Sequence, residues 1–98
     1  MSQKISETDY HSDCDKLFAD IESMLDDADI DFDSNGNMIE AELEDGGGKI
    51  IINRQPAVRE VWVAAVAGGF HFFRAEDGWR HTRDNRELME ILAELIRA

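Results

Sequence analysis

The sequence predicts an α+β fold, a two-layer sandwich with N- and C-terminal helices packed on one face of an antiparallel sheet of about five strands. Three observations lead there. Apolar residues recur at helical spacing near the N-terminus, the period changes to two from Met38, and helical spacing returns after Asp84. Turn residues punctuate the middle at intervals too short for a crossover helix. The 98 residues, 43% of them hydrophobic, suffice for one core, so 1–98 reads as a single domain.

Between residues 8 and 28, Tyr10, Cys14, Leu17, Phe18, Ile21, Leu25 and Ala28 form one helical face. Ser6 or Thr8 can cap its start, with Glu7 and Asp9 in the first turn. Asp13, Asp20 and Asp27 fall opposite that stripe and are expected in water. From Met38, Ile39, Ala41 and Leu43 alternate with Met38, Glu40, Glu42 and Glu44, a half-buried strand. Asp45-Gly46-Gly47-Gly48 has the composition of a hairpin turn. Residues 49–55 (KIIINRQ) form a second strand, β-branched and stiff, and Pro56 ends it by forcing Gln55 to be extended. Residues 59–66, 70–74 and 79–82 make three more, separated by Gly68-Gly69 and Glu76-Asp77-Gly78. Asp84 with Glu87 resembles a capping box for a last helix whose stripe is Leu88, Ile91, Leu92 and Leu95. Two helices with one apolar face each must cover the same side of the sheet, leaving its other side to solvent.

Charge is distributed unevenly. Residues 1–45 hold 15 acids against Lys4 and Lys16, whereas residues 46–98 hold 7 acids against 8 bases. The densest stretch is residues 20–33, where seven of fourteen are acids: Asp20, Glu22, Asp26, Asp27, Asp29, Asp31 and Asp33. Carboxylates at a helix C-terminus oppose the macrodipole by about 0.3–1 kcal/mol each. Like charges at i,i+4, such as Glu22 and Asp26, add repulsion of about 0.2–0.5 kcal/mol. Stability does not account for their placement, so the stretch reads as a cation-binding and partner-docking surface. Such a field repels nucleic-acid phosphate and anionic membrane, and neither is expected as a partner. A lone cysteine, Cys14, permits no intrachain disulfide. With no apolar leader and no spanning run, the expected address is cytoplasmic.

Several motifs have plainer readings beside the functional one. Asp31-x-Asp33-x-Asn35-Gly36, then five residues and Glu42, matches EF-hand spacing, but a strand follows where the exit helix should be. Glu22, Asp26, Asp27, Asp29, Asp31 and Asp33 offer hard oxygen ligands without a closed cage, suited to weakly held, exchangeable divalent cations. His11 with Asp15 at i,i+4 could add an imidazole ligand near Asp13 and Cys14. No sequence-near nucleophile with its base and no phosphate-cradling glycine loop appears, and His71 and His81 read as serving packing or local hydrogen bonds. By alternation Trp62 lies opposite Val61 and Val63, on the open side of the sheet with Asn53 and Gln55, as a protein-contact patch.

KIIINRQ, VWVA, GGFHF, the acid-rich helix and the DIDFDSNGN turn together resemble the bacterial frataxin (CyaY) family, over about residues 10–95. The resemblance implies a two-helix, antiparallel-sheet sandwich. It implies iron, Fe2+ or Fe3+, weakly bound along Glu22, Asp26, Asp27, Asp29, Asp31 and Asp33, with His11 as an extra ligand. It also implies docking on cysteine desulfurase and the iron–sulfur scaffold protein, with Asn53, Gln55 and Trp62 as sheet-face contacts. The expected function is a regulator or adaptor of iron–sulfur cluster assembly, a monomer that can oligomerise with iron. The alternative is a ferroxidase, or an iron-storage or iron-donor protein. Pro56 directly after Gln55, Ser23 in place of an acid, and a short C-terminal tail depart from the family pattern.

Overall fold

A computed structural model describes residues 5–43 and 48–97. Helix α1 (Glu7–Asp27) is followed by strands β1 (Asp31–Ser34), β2 (Met38–Leu43) and β3 (Gly48–Gln55). A 3-10 turn, Pro56–Val58, leads to β4 (Glu60–Ala65), β5 (Gly68–Ala75) and β6 (Gly78–His81), and α2 (Leu88–Arg97) closes the fold. The strands pair in sequence order, β1-β2-β3-β4-β5-β6, every pair antiparallel.

Helix α1 starts where Ser6 Oγ accepts from Asp9 N at 3.1 Å. Its buried stripe is Tyr10, Cys14, Leu17, Phe18, Ile21 and Leu25. These pack with Ile39, Ala41, Ile50, Ile52, Val61, Val63, Phe72 and Trp79 from the sheet and with Leu88, Ile91 and Leu92 from α2. All of those strand residues share one sheet face, and no helix among the described residues covers the other.

Among the described residues the sheet has six strands where about five were expected. β1 was missed because its four residues, DFDS, are poor strand formers with a single apolar member, Phe32, too short a run to show a period. Alternation still holds within it. Phe32 packs toward the core and Ser34 toward α1, while Asp31 and Asp33 point away. The glycine-rich turn expected at 45–48 lies outside the described residues except Gly48, which opens β3.

Two further expectations are corrected. Asp84 and Glu87 do not form a capping box. Asp84 Oδ1 instead accepts from Arg86 N at 3.1 Å and meets His81 Nδ1 at 2.9 Å, closing a turn in which Asn85 has φ 63°. Glu87 bridges to Arg80, so α2 begins only at Leu88. Asp13 is not in water either: its Oδ2 accepts from Arg74 Nε at 3.0 Å, and both side chains are about three-quarters covered.

Candidate cation and partner surface

The end of α1 sets the geometry of the acidic stretch. Ile30 N donates to Leu25 O at 2.9 Å and Asp29 N to Asp26 O at 3.0 Å, the two bonds of a Schellman cap. The residue in the left-handed conformation such a cap needs is Asp29, φ 59°, at a position where glycine is ordinarily best. The last turn contains no basic residue. Asp26, Asp27 and Asp29 are therefore exposed carboxylates beside the negative end of the helix.

Beyond the cap the chain turns into β1 and the acids divide. Glu22, half-buried, reaches from α1 to accept from Ser34 Oγ at 2.9 Å. Asp31 and Asp33 lie on the opposite, open face of the sheet, directly across from Glu42 and Glu40 of β2. Like charges facing each other across a ladder are destabilising. Among the described residues only Lys49 of β3 relieves them, with Nζ 2.8 Å from Glu40 Oε2, an exposed pair in which Glu40 raises the lysine's pKa. Asp31, Asp33, Glu40, Glu42 and Lys49 line one shallow depression with Phe32. Among the described residues, Asp26, Asp27, Asp29, Asp31 and Asp33 form no ion pair.

Sequence reasoning missed Glu40 and Glu42. Their outward parity was legible, but placing them opposite Asp31 and Asp33 required the pairing of a strand that composition hides.

His11 stands apart. It is eleven residues before Glu22, about 16 Å along the helix at 1.5 Å per residue. Its Nδ1 meets Arg54 Nη1 at 3.1 Å, while Arg54 Nη2 donates to Asp15 Oδ1 at 2.5 Å. A guanidinium can only donate, so this ring nitrogen is already engaged as its acceptor. The arginine, its side chain only 9% exposed, sits between the two residues expected to chelate a metal and lies over the Phe18 ring. His11 and Asp15 thus clamp Arg54, and the structure does not bring His11 to the acidic end.

The open face continues from the acids toward the middle of the sheet. Met38, Asn53, Trp62 and His71 form one row across β2, β3, β4 and β5. Trp62 is half-exposed between buried Val61 and Val63, as alternation requires. Its ring stacks on His71 with centroids 4.1 Å apart and planes at 7°, and Nε1 donates to Glu60 Oε1 at 2.7 Å. Gln55 Nε2 donates to Asn53 Oδ1 at 3.0 Å. From behind, Tyr10 of α1 accepts from Gln55 N at 3.0 Å and donates to Glu60 O at 2.6 Å, tying the β3–β4 connection to the helix. Burial pushes this hydroxyl's pKa well up.

Chemically, the surface offers carboxylate oxygens on an open rim, with an aromatic and amide patch beside them. Among the described residues, no three of His, Cys, Asp and Glu converge to enclose a metal ion. The donor set fits hard, partly hydrated cations held from one side, and does not fit a closed site. No helix among the described residues is long and apolar enough to cross a membrane.

Comparison with known proteins gives a consistent family. A family model described as a frataxin-like domain matches residues 3–98. A protein of Paraburkholderia phymatum called iron-sulfur cluster assembly protein CyaY is 41% identical over 92 residues, covering 92% of this chain and 87% of its own. A protein of the same name from Janthinobacterium sp. is 42% identical over 84 residues, covering 84% and 75%. A solved frataxin from Psychromonas ingrahamii superposes with TM-score 0.84 at 28% identity, over 94% of this chain and 89% of that one. A trimeric frataxin from Saccharomyces cerevisiae, complexed with ferrous iron, superposes at TM-score 0.70 over 99% and 88% of the two chains. At 24% identity that last likeness shows the fold alone.

Proposed function

The chain belongs to the frataxin-like (CyaY) family, and on that premise we propose that it is a cytoplasmic, iron-binding regulator of iron–sulfur cluster assembly that docks on cysteine desulfurase. The observation that carries this reading is the row of acids from Asp26 to Asp33, which form no ion pair among the described residues. It runs round the end of α1 and onto the same open face as Asn53, Gln55 and Trp62. A basic surface on the desulfurase would neutralise Asp26, Asp27, Asp29, Asp31 and Asp33. The scaffold protein would take the amide and Trp62 patch, a half-exposed aromatic of the kind that anchors interfaces. Iron held on the same carboxylates would lower their charge and so weaken docking, coupling iron level to cluster assembly.

Electrostatic docking of this kind weakens as salt screens it. Replacing Asp26, Asp27 and Asp31 together by Lys is expected to abolish binding to cysteine desulfurase in calorimetric titration, with an unchanged circular-dichroism spectrum. Wild-type affinity in that folded variant would overturn the proposal.

A further inference from the structure

The turn between β1 and β2 carries the Asn35-Gly36 pair left over from the rejected calcium-loop motif, and its geometry assigns it a different chemistry. Asn35 Oδ1 accepts from two backbone donors, Asn37 N at 3.0 Å and Met38 N at 2.9 Å. Two preorganised N–H groups on one carbonyl oxygen stabilise negative charge developing there, as in an oxyanion hole. The nitrogen that would attack the neighbouring carbon, Gly36 N, donates to no acceptor among the described residues. Gly36 is exposed, with φ 87°, and carries no side chain of its own to crowd its nitrogen. Asn35 is exposed too, and its Nδ2 has no protein partner among the described residues to hold it back as a leaving group.

We propose that Asn35 is a site of spontaneous deamidation in the folded protein. Gly36 N, deprotonated by solvent base, attacks Asn35 Cγ and forms the new N–C bond while charge collects on Oδ1. The Cγ–Nδ2 bond then breaks, and Nδ2 leaves with a proton as ammonia, closing a succinimide. Water opens the ring at either carbonyl and yields aspartate or isoaspartate, with no change in oxidation state. The product carries one more carboxylate beside the β1–β2 acids, two residues from Asp33. Asn37, Asn53 and Asn85 are followed by Met38, Arg54 and Arg86, whose side chains crowd the same attack, so Asn35 alone is expected to react.

The test needs neither iron nor a partner. The full chain is aged at 37 °C, folded in buffer and unfolded in guanidinium chloride, and peptide mapping by mass spectrometry follows each asparagine. Conversion at Asn35, to both products, at least as fast in the folded chain as in the unfolded one is the expected result. A slower rate in the folded chain, or conversion led by another asparagine, would overturn the proposal. Gly36→Ala is expected to lose the reaction. Because alanine is strained at φ 87°, Asn35→Asp, which introduces no strain, serves as the charge standard: aged wild type must yield a species co-eluting with it on anion exchange, and failure to do so also counts against the site.

Discussion

In the first half of α1, Asp13 and Asp15 each meet an arginine from the sheet, Arg74 on β5 and Arg54 on β3. In its last turn and the segment beyond, Asp26, Asp27, Asp29, Asp31 and Asp33 meet none among the described residues. Both sets are aspartates on or beside one helix, and the strands reach both. The difference separates two uses of the same side chain. Acids at the start of α1 fasten the helix astride the sheet, whereas those at its end repel one another and, among the described residues, have no cation to meet. Removing a partner from the first set should loosen the fold, and removing an acid from the second should tighten it.

The largest break in that contrast is expected at Arg54. Its guanidinium joins Asp15 and His11 and covers Phe18 at 5.0 Å. Arg54→Ala removes hydrogen bonds to a carboxylate and an imidazole together with a cation–π contact, and should cost about 2–3 kcal/mol in denaturant unfolding. Asp15, 71% exposed, contributes less by itself because water screens it. If Asp27→Ala cost as much as Arg54→Ala, the division between the two halves would fail.

Next comes Tyr10, which pins the β3–β4 connection from the structural half. Tyr10→Phe leaves Gln55 N–H and Glu60 C=O without their buried partner, a loss of about 1–3 kcal/mol. Amide and indole NMR signals of Gln55 and Trp62 should shift as well, since the hydroxyl sets the position of both strands at that end. An unshifted Trp62 signal would mean that the open face is indifferent to α1.

How much of this was legible in advance follows from the range of each interaction. The helix stripe and the outward parity of Trp62 depend on residues a few positions apart, and spacing revealed them. β1 was hidden because acids occupy an edge strand where charge guards against pairing with another chain. The facing of Asp33 with Glu40, and the capture of His11 by Arg54, are tertiary. Arg54 is 43 residues from His11, and nothing local in either segment marks the other as its partner. Asp84 misled for the opposite reason: its three-residue spacing to Glu87 is the correct local signal, but His81 and Arg86 N reached the carboxylate first.

A pH experiment probes the structural half through Cys14. The thiol is fully buried beside Tyr10, and burial raises its pKa. The folded chain keeps this proton where the unfolded chain has lost it, so stability is intact below the unfolded thiol's value of about 8.5 and falls as pH rises beyond it. The limiting slope for one proton is about 1.4 kcal/mol per pH unit. Cys14→Ala should flatten the decline between about pH 8.5 and 10, above which Tyr10 adds its own through the same burial. Chemical denaturation across that range, wild type against variant, decides it.

The smallest expected effect is the sharpest test of the contrast, because it predicts a gain. Asp29 adopts φ 59° at the glycine position of the helix cap and sets its charge against the helix's negative end. Asp29→Gly relieves the backbone and the charge together and should stabilise the fold by about 1 kcal/mol. Asp29→Asn, which tolerates the left-handed region and removes only the charge, should gain a smaller part of that. Both should bind cysteine desulfurase more weakly than wild type, the stabilised protein being the less active one. A carboxylate serving the fold would give the reverse order, with both variants less stable. In that case the acids at the two ends of α1 would share one purpose, and the proposed docking surface would have to begin beyond the helix, at Asp31.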